Sequence, residues 1–432
     1  MPRPIPTPTP QTGLRALRAI FRERSVMAAL SVIHSELGDI FKVSAPGFNP
    51  VMMAGADACR WVLVEARNDL LWRMETDPIT QLLSHGLLVE DGENHDTMRE
   101  HLNPSLHRRM VEGFVDAMVR RTDQVIDSWA EGSTVDLLTE SRRMALLILL
   151  DTLFDVDHTP DMQPLWAPLL KLVDFISPGL WLFWSGVPRP GYKRAITQWD
   201  TYLTAMIAAR RADLVRNPER TDMLSFLIQS KLPDAAIRDQ LMTMLIAGHD
   251  TVTALLGWAF HSVGLHEDVR QRCIDETDSV LGGNVPNVET VTQLRYTEQV
   301  VDETLRLYPP AHLGSRKAAV DLQYGEYLIP KGTRVVYSIY LTQRDPKLWP
   351  EPERFDPERF APGSKIAPYT FLPFGGGKRN CIGAYFAQIE ARLILARVLQ
   401  RVTLTPILKP THMHMGATIE PRPGVYASVK HR

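Results

Sequence analysis

Cysteine is scarce in this 432-residue sequence: there are three, Cys59, Cys273 and Cys381. They are odd in number and far apart. No disulfide framework and no zinc-binding spacing is available, and a reducing, cytoplasmic setting is expected. Charge of one sign is also lacking. The net charge is −2 at neutral pH, which gives no basic field for nucleic acid. No apolar run approaches the ~20 residues that a membrane-spanning helix needs, and no stretch has the apolar core of a signal peptide. Internal repeats and phosphate-binding loops are absent. What remains is the composition of an ordinary globular protein, 44% hydrophobic and 23% charged.

Against this background one cysteine stands out. Phe374-Gly375-Gly376-Gly377-Lys378-Arg379-Asn380-Cys381-Ile382-Gly383 places it between glycines, after cations, and just before a long helical pattern starting near Ala384. A helix N-terminus favours negative charge, and a cysteine there is expected to have a lowered pKa and to bind metal as the thiolate. The glycines suit a tight bend and let a flat group approach the main chain. Phe374 is suited to shielding the sulfur. A buried structural cysteine in a Gly-rich turn is the plainer alternative.

The rest of the chain reads mainly as helix. Pro2, Pro4, Pro6, Pro8 and Pro10 predict a stiff, disordered tail over residues 1–11, followed by one unit over 12–432. Residues 40–54 predict a hairpin turning at Pro46-Gly47. Residues 110–157 are helical in pattern, and the apolar run Met144 to Leu150 is long enough only for a buried core helix. Residues 166–187 carry only Lys171 and Asp174 as charges, include Leu180-Trp181-Leu182-Phe183-Trp184, and are broken at Pro178-Gly179. They read as core packing, or as an apolar patch able to touch a membrane surface through residues 180–187. A helix from about Asp234 to Gly264 is apolar nearly all round between Leu241 and Phe260, as a central buried helix should be. In its middle stand Ala247-Gly248-His249-Asp250-Thr251. A buried carboxylate and hydroxyl are costly unless bonded or used in chemistry, and a mid-helix glycine costs ~1 kcal/mol. His95 and Arg99 are four apart and share a helix face, either as an exposed polar pair or as two donors for an anion. Glu303 and Arg306 are three apart and can pair, on a helix that ends at Tyr308-Pro309-Pro310. Residues from Arg316 to Val320 alternate as a strand, and Pro330-Lys331-Gly332 predicts a hairpin between residues 327–329 and 333–339. The C-terminal segment, with Met413-His414-Met415 and Pro421-Arg422-Pro423, reads as a small sheet.

The cysteine loop closely resembles the haem-binding signature of the cytochromes P-450, Phe-x-x-Gly-x-Arg-x-Cys-x-Gly. Three further motifs follow that family's pattern. Ala247 to Thr251 is similar to its oxygen-activation motif, Glu303-Thr304-Leu305-Arg306 to its Glu-x-x-Arg, and His95-x-x-x-Arg99 to its propionate-binding pair. The resemblance runs from about residue 30 to the end. It implies a mainly α fold with a small β-rich part, as a single domain. It implies haem b as cofactor, with Cys381 as axial thiolate, and haem contacts from Phe374, Gly383, Ala247 and Gly248. His95, Arg99, Arg316 and Arg379 are then propionate partners. Asp250 and Thr251 become the acid and alcohol that move protons, with Gly248 leaving room for dioxygen. The hydroxyl residue that often follows the threonine in the family is replaced here by Val252. Arg359 would complete a structural ion network with Glu303 and Arg306.

The implied activity is haem-thiolate monooxygenation: one oxygen atom of O2 is inserted into an apolar substrate such as a fatty acid, terpenoid or carotenoid. The sequence shows no flavin or iron–sulfur segment, so electrons are expected from a separate ferredoxin- or flavodoxin-type donor with its reductase. Lys378, Arg354, Arg392, Arg108 and Arg109 are candidates for a positive docking face. A peroxide-driven haem enzyme is one alternative, although such relatives typically lack the acid–alcohol pair. A non-catalytic haem or lipid binder is another, and it would need no buried Asp–Thr.

Overall fold

The computed structural model of the chain describes residues 3–44, 47–182 and 186–432. One helix, Asp234–Leu265, runs through the middle of the molecule. Its length follows from its sequence: a mostly apolar segment is buried nearly all round and no proline interrupts it. It packs closely against the helix Leu137–Phe154. A Cβ at Gly248 would lie 2.6 Å from the Leu149 side chain, and one at Gly257 2.7 Å from Leu138. Two glycines thus let the helices approach each other. Helices Tyr192–Leu214, Arg295–Leu307 and Ala384–Arg401 also pack on the central helix.

The β-structure lies at the periphery. A five-stranded sheet has the order Ile40–Lys42, Val51–Met53, Arg334–Ser338, Leu313–Ala318 and Leu70–Leu71. It covers its own small core, which includes Val51, Met53, Val335 and Leu372. A three-stranded sheet joins Thr134–Asp136, Tyr426–His431 and Val402–Ile407. The expected C-terminal sheet is a hairpin of His412–Met415 with Ile419–Arg422. The expected hairpin over 40–54 is present, with Ile40 opposite Met53; Pro46 lies outside the described residues.

Three expectations are corrected. The N-terminal tail is ordered from Arg3. The Arg3 N–H bonds Glu326 O at 2.8 Å, the Pro6 carbonyl accepts from Lys42 N–H at 2.8 Å, and Pro10 opens a helix to Glu23. Prolines hold the chain extended at little entropic cost, and their carbonyls still accept hydrogen bonds. Residues 110–157 are not one helix: Thr134–Asp136 is a strand between the helices Val115–Ile126 and Leu137–Phe154, because the C-terminal strand pairs with it. The turn at Pro330-Gly332 does not join a hairpin. Tyr327–Ile329 pairs with Leu322–Tyr324, while Arg334–Ser338 enters the five-stranded sheet, where Val335 and Tyr337 are buried.

The Glu303–Arg306 pair forms as expected and is wholly buried. Its two N···O contacts are 2.7 and 2.8 Å, and Arg359 approaches Glu303 at 3.5 Å. Arg306 also donates to the carbonyls of Gln343, Pro352 and Arg354.

Candidate active site

The loop before helix Ala384–Arg401 takes its shape from two glycines. Gly375 and Gly377 have φ of +70° and +64°, and a Cβ at Gly377 would meet Leu63 O at 2.6 Å. The loop closes through the Cys381 N–H, which donates to Phe374 O at 2.8 Å. Phe374 packs against the main core. Cys381 is exposed. Its pKa is nonetheless raised, because surrounding protein disfavours the anion more than the Gly383 N–H and the Arg99 guanidinium favour it. This differs from the expected lowering: the helix N-terminus is present, but the protein packed around the sulfur outweighs it. The other two thiols are buried, and burial pushes Cys59 up to about 11 and Cys273 to about 12.

Four cationic or basic groups converge beside this loop. Helix Gly92–Leu102 carries His95 and Arg99 on one face. Arg99 donates to Asn380 O at 2.8 Å and Asn380 Oδ1 at 2.9 Å. His95 is buried and bonds Asp96 at 2.8 Å; its pKa is lowered, first by burial and then by Arg379 and Arg99. Arg379 bonds Asp91 at 2.7 Å and the Glu90 carbonyl. Burial lowers its pKa to about 10; Asp91 opposes the fall, and Arg316 and Arg67 add to it. Arg316 is buried among Trp72 and Tyr337 and, among the described residues, has a hydrogen bond only to Ser315 O. The cluster thus holds more positive charge than Asp91 and Asp96 answer. That is the electrostatics of a site built for an anion.

The central helix opens at one place. Between residues 241 and 260 only Ala247, Gly248 and Thr251 are not buried, and they share one face. The Thr251 hydroxyl donates to Ala247 O at 2.6 Å, leaving its oxygen free to accept. Gly248 contributes bare backbone to the opening, but the space a side chain would take belongs to Leu149. Glycine here lets the Leu149 side chain pack against the central helix.

Asp250 faces the other way, into a network that sequence reasoning missed. Arg142 contacts Asp250 Oδ1 at 2.8 Å, and Thr418 donates to Oδ2 at 2.9 Å. The same guanidinium also binds Glu420, whose second oxygen holds Arg422 at 2.9 Å. Burial works against the Arg142 cation, but Asp250 and Glu420 outweigh it and its pKa is raised. His249 is wholly buried with both ring nitrogens unpartnered, and burial, with Arg142 beside it, keeps it neutral. The signal for this network lay in Arg142 and Glu420, charged residues next to apolar runs, but nothing in their spacing pairs them with Asp250.

Asp250, Arg142, Thr418 and Glu420 line one end of a cleft of about 490 Å3. Its other walls come from helix Met162–Ile176, the segment after it and the C-terminal hairpin. The break expected at Pro178-Gly179 is present. Beyond it, Trp181 donates to Ser177 O at 2.7 Å. Phe183 and Trp184, on which membrane contact through residues 180–187 was expected to rest, lie outside the described residues. Among the described residues no helix is long and apolar enough to cross a membrane. Of the expected docking cations, Arg108, Arg109, Arg354 and Lys378 are exposed. Arg392 is not: it is buried, 3.2 Å from Glu298.

The chain matches the family description "Cytochrome P450" over residues 5–425. It is 30% identical to cytochrome P450 139 of Mycobacterium bovis, over 93% of this chain and 97% of that one. It is 31% identical to cyclooctat-9-en-7-ol 5-monooxygenase of Streptomyces melanosporofaciens, over 77% and 75%. The fold superposes on the structure of retinoic acid-bound cyanobacterial CYP120A1 with a TM-score of 0.86, at 25% identity and full coverage of both chains. The thiol loop, the unanswered cations and the opened central helix suit a flat, doubly anionic metal cofactor, and the chain belongs to the cytochrome P450 family of haem-iron monooxygenases.

Proposed function

We propose that this chain inserts one oxygen atom of O2 into an apolar substrate, with haem b held by Cys381. The observation that carries the reading is the excess of positive charge at Arg99, Arg316 and Arg379 beside an accessible thiol. These cations, with His95, would pair the two propionates. Phe374, Gly383, Ala247 and Gly248 would wall the ring. The bound haem supplies the redox chemistry that activates dioxygen, tuned by its thiolate ligand.

The protein supplies the proton path. Thr251 presents a hydroxyl oxygen at the opening, and Asp250 stands one residue away at the end of the cleft. To serve Thr251, the Asp250 carboxylate must leave Arg142. Glu420 remains on that guanidinium and keeps it neutralised. Protons from water in the cleft then reach the alcohol through Asp250.

An apolar substrate is supported by the relatives: one is named for cyclooctat-9-en-7-ol and another holds retinoic acid, both mainly hydrocarbon with one oxygenated group. Electrons from a separate ferredoxin- or flavodoxin-type donor are supported by the exposed Arg108, Arg109, Arg354 and Lys378. A cytoplasmic setting is supported by three free cysteines.

Titration of the apoprotein with haemin tests the cofactor reading. One equivalent should bind, and Arg99→Gln/Arg379→Gln together should weaken binding at least tenfold. Unchanged affinity in that variant would refute the propionate assignment.

A further inference from the structure

Helix Pro10–Glu23 packs on helix Val26–Leu37 with its smallest side chains. Thr12, Ala16 and Ala19 are buried, and Ala16 shares a core with Met27, Leu30 and Ile33. The large apolar side chains lie on the outer side: Leu14 and Leu17 are 49% exposed and Phe21 is 76% exposed. A surface helix of a globular protein normally turns such residues to the core. Here the core takes the alanines, and solvent takes the leucines and the phenylalanine.

Leu14, Leu17 and Phe21 are spaced three and four apart, so they form one stripe along the helix. Arg15, Arg18 and Arg22 each follow one of them by a single residue and form a parallel stripe beside the first. Arg24 is exposed at the end of the helix, with φ of +52°. Residues 10–26 thus carry four arginines and one acid, Glu23, in a protein of net charge −2. Arg15 pairs with Glu36 at 2.8 Å and Arg22 with Glu23 at 2.6 Å. Arg18 and Arg24 have no carboxylate partner among the described residues. The helix is also fixed in place: Thr9 caps its start, and Arg3 and Pro6 tie the preceding segment to Glu326 and Lys42. The two stripes are therefore presented by a folded body rather than formed on contact.

An apolar stripe beside a cationic one matches the layering of an anionic bilayer. Leucine and phenylalanine enter the acyl boundary, and arginines at the border reach the phosphates while their stems stay in apolar surroundings. A second copy of this chain fits the face less well. It would set arginines against arginines, and three apolar side chains fall short of the ~800 Å2 that a stable protein interface buries on each partner. We propose that helix Pro10–Glu23 is a peripheral docking site for an anionic lipid surface, with Leu14, Leu17 and Phe21 in the apolar boundary and Arg18 and Arg24 on headgroup phosphates. The site is separate from residues 180–187 and does not depend on the haem reading.

Flotation of the full-length, haem-loaded protein with lipid vesicles tests the proposal. Vesicles of phosphatidylcholine and phosphatidylglycerol in equal parts should bind at least ~10-fold tighter than phosphatidylcholine alone, and added salt should weaken that binding. Leu17→Glu/Phe21→Glu should abolish it. Arg18→Gln/Arg24→Gln should remove most of the preference for the anionic vesicles. All four positions are exposed, so melting temperature and haem spectrum should match the wild type in both variants. Binding to neither vesicle, equal binding to both, or binding that survives Leu17→Glu/Phe21→Glu in folded protein would overturn the proposal. Sedimentation velocity without lipid checks the other occupant. A wild-type dimer that Leu17→Glu/Phe21→Glu dissociates would assign the face to a second copy and overturn the lipid reading.

Discussion

Two of the buried ion networks in this fold, at Glu303 and at Asp250, are built in opposite ways. At Glu303 one carboxylate takes two arginines, Arg306 and Arg359. Every remaining direction of Arg306 is closed by backbone carbonyls, and the pair has no exposure at all. At Asp250 the ratio is reversed: one arginine, Arg142, serves two carboxylates, and the network lines a cleft. The closed network has no second arrangement, because any movement strands a charge in a dry interior. The shared one can let a carboxylate go while the cation stays paired. Equal burial therefore does not mean equal freedom: the first ties helix Arg295–Leu307 to residues 343–359, and the second leaves Asp250 at the wall of a cleft.

The comparison breaks most visibly at Glu303. Glu303→Ala strands Arg306 and should cost ~3–5 kcal/mol. Urea unfolding should show that loss, and expression should give little holoprotein. Normal yield and stability would remove the scaffold role. Asp250→Asn should act on rate instead. Turnover should fall ~10²-fold, as loss of a positioned proton carrier implies, with haem content unchanged. A smaller effect distinguishes the networks directly. Asp250→Asn and Glu420→Gln should each cost little stability, since either carboxylate alone neutralises Arg142. Together they should cost ~1 kcal/mol or more beyond their sum. Additive melting temperatures would show that the guanidinium is not shared. Smallest of all, Thr418→Val removes one hydrogen bond to Asp250 and should cost about 1 kcal/mol, read by the same melts.

What was legible in the sequence was local. The Cys381 loop is a contiguous stretch, Glu303 and Arg306 are one helical turn apart, and the apolar run around Ala247 to Thr251 identifies a central helix without reference to any other segment. What was hidden was long-range. Arg142, Thr418 and Glu420 come from another helix and from the C-terminal hairpin; Arg142 is 108 residues from Asp250, and Thr418 is 168 residues from it. Gly248 reads as a gap for a ligand until Leu149 is seen against it. The Cys381 thiol follows the same rule. The helix start that favours its anion is visible in the sequence, and the surrounding atoms that disfavour it are not. Prolines predict an extended tail, but only the neighbouring Lys42 and Glu326 show that it is held.

The central claim is that the sulfur of Cys381 binds the haem iron. The ferrous carbon monoxide spectrum of purified protein, wild type against Cys381→Ser, tests it most directly. The account predicts the thiolate-type absorption in the wild type and its loss in the serine variant at comparable haem content. The same spectrum from both proteins, or no haem absorption from the reconstituted wild type, would contradict it.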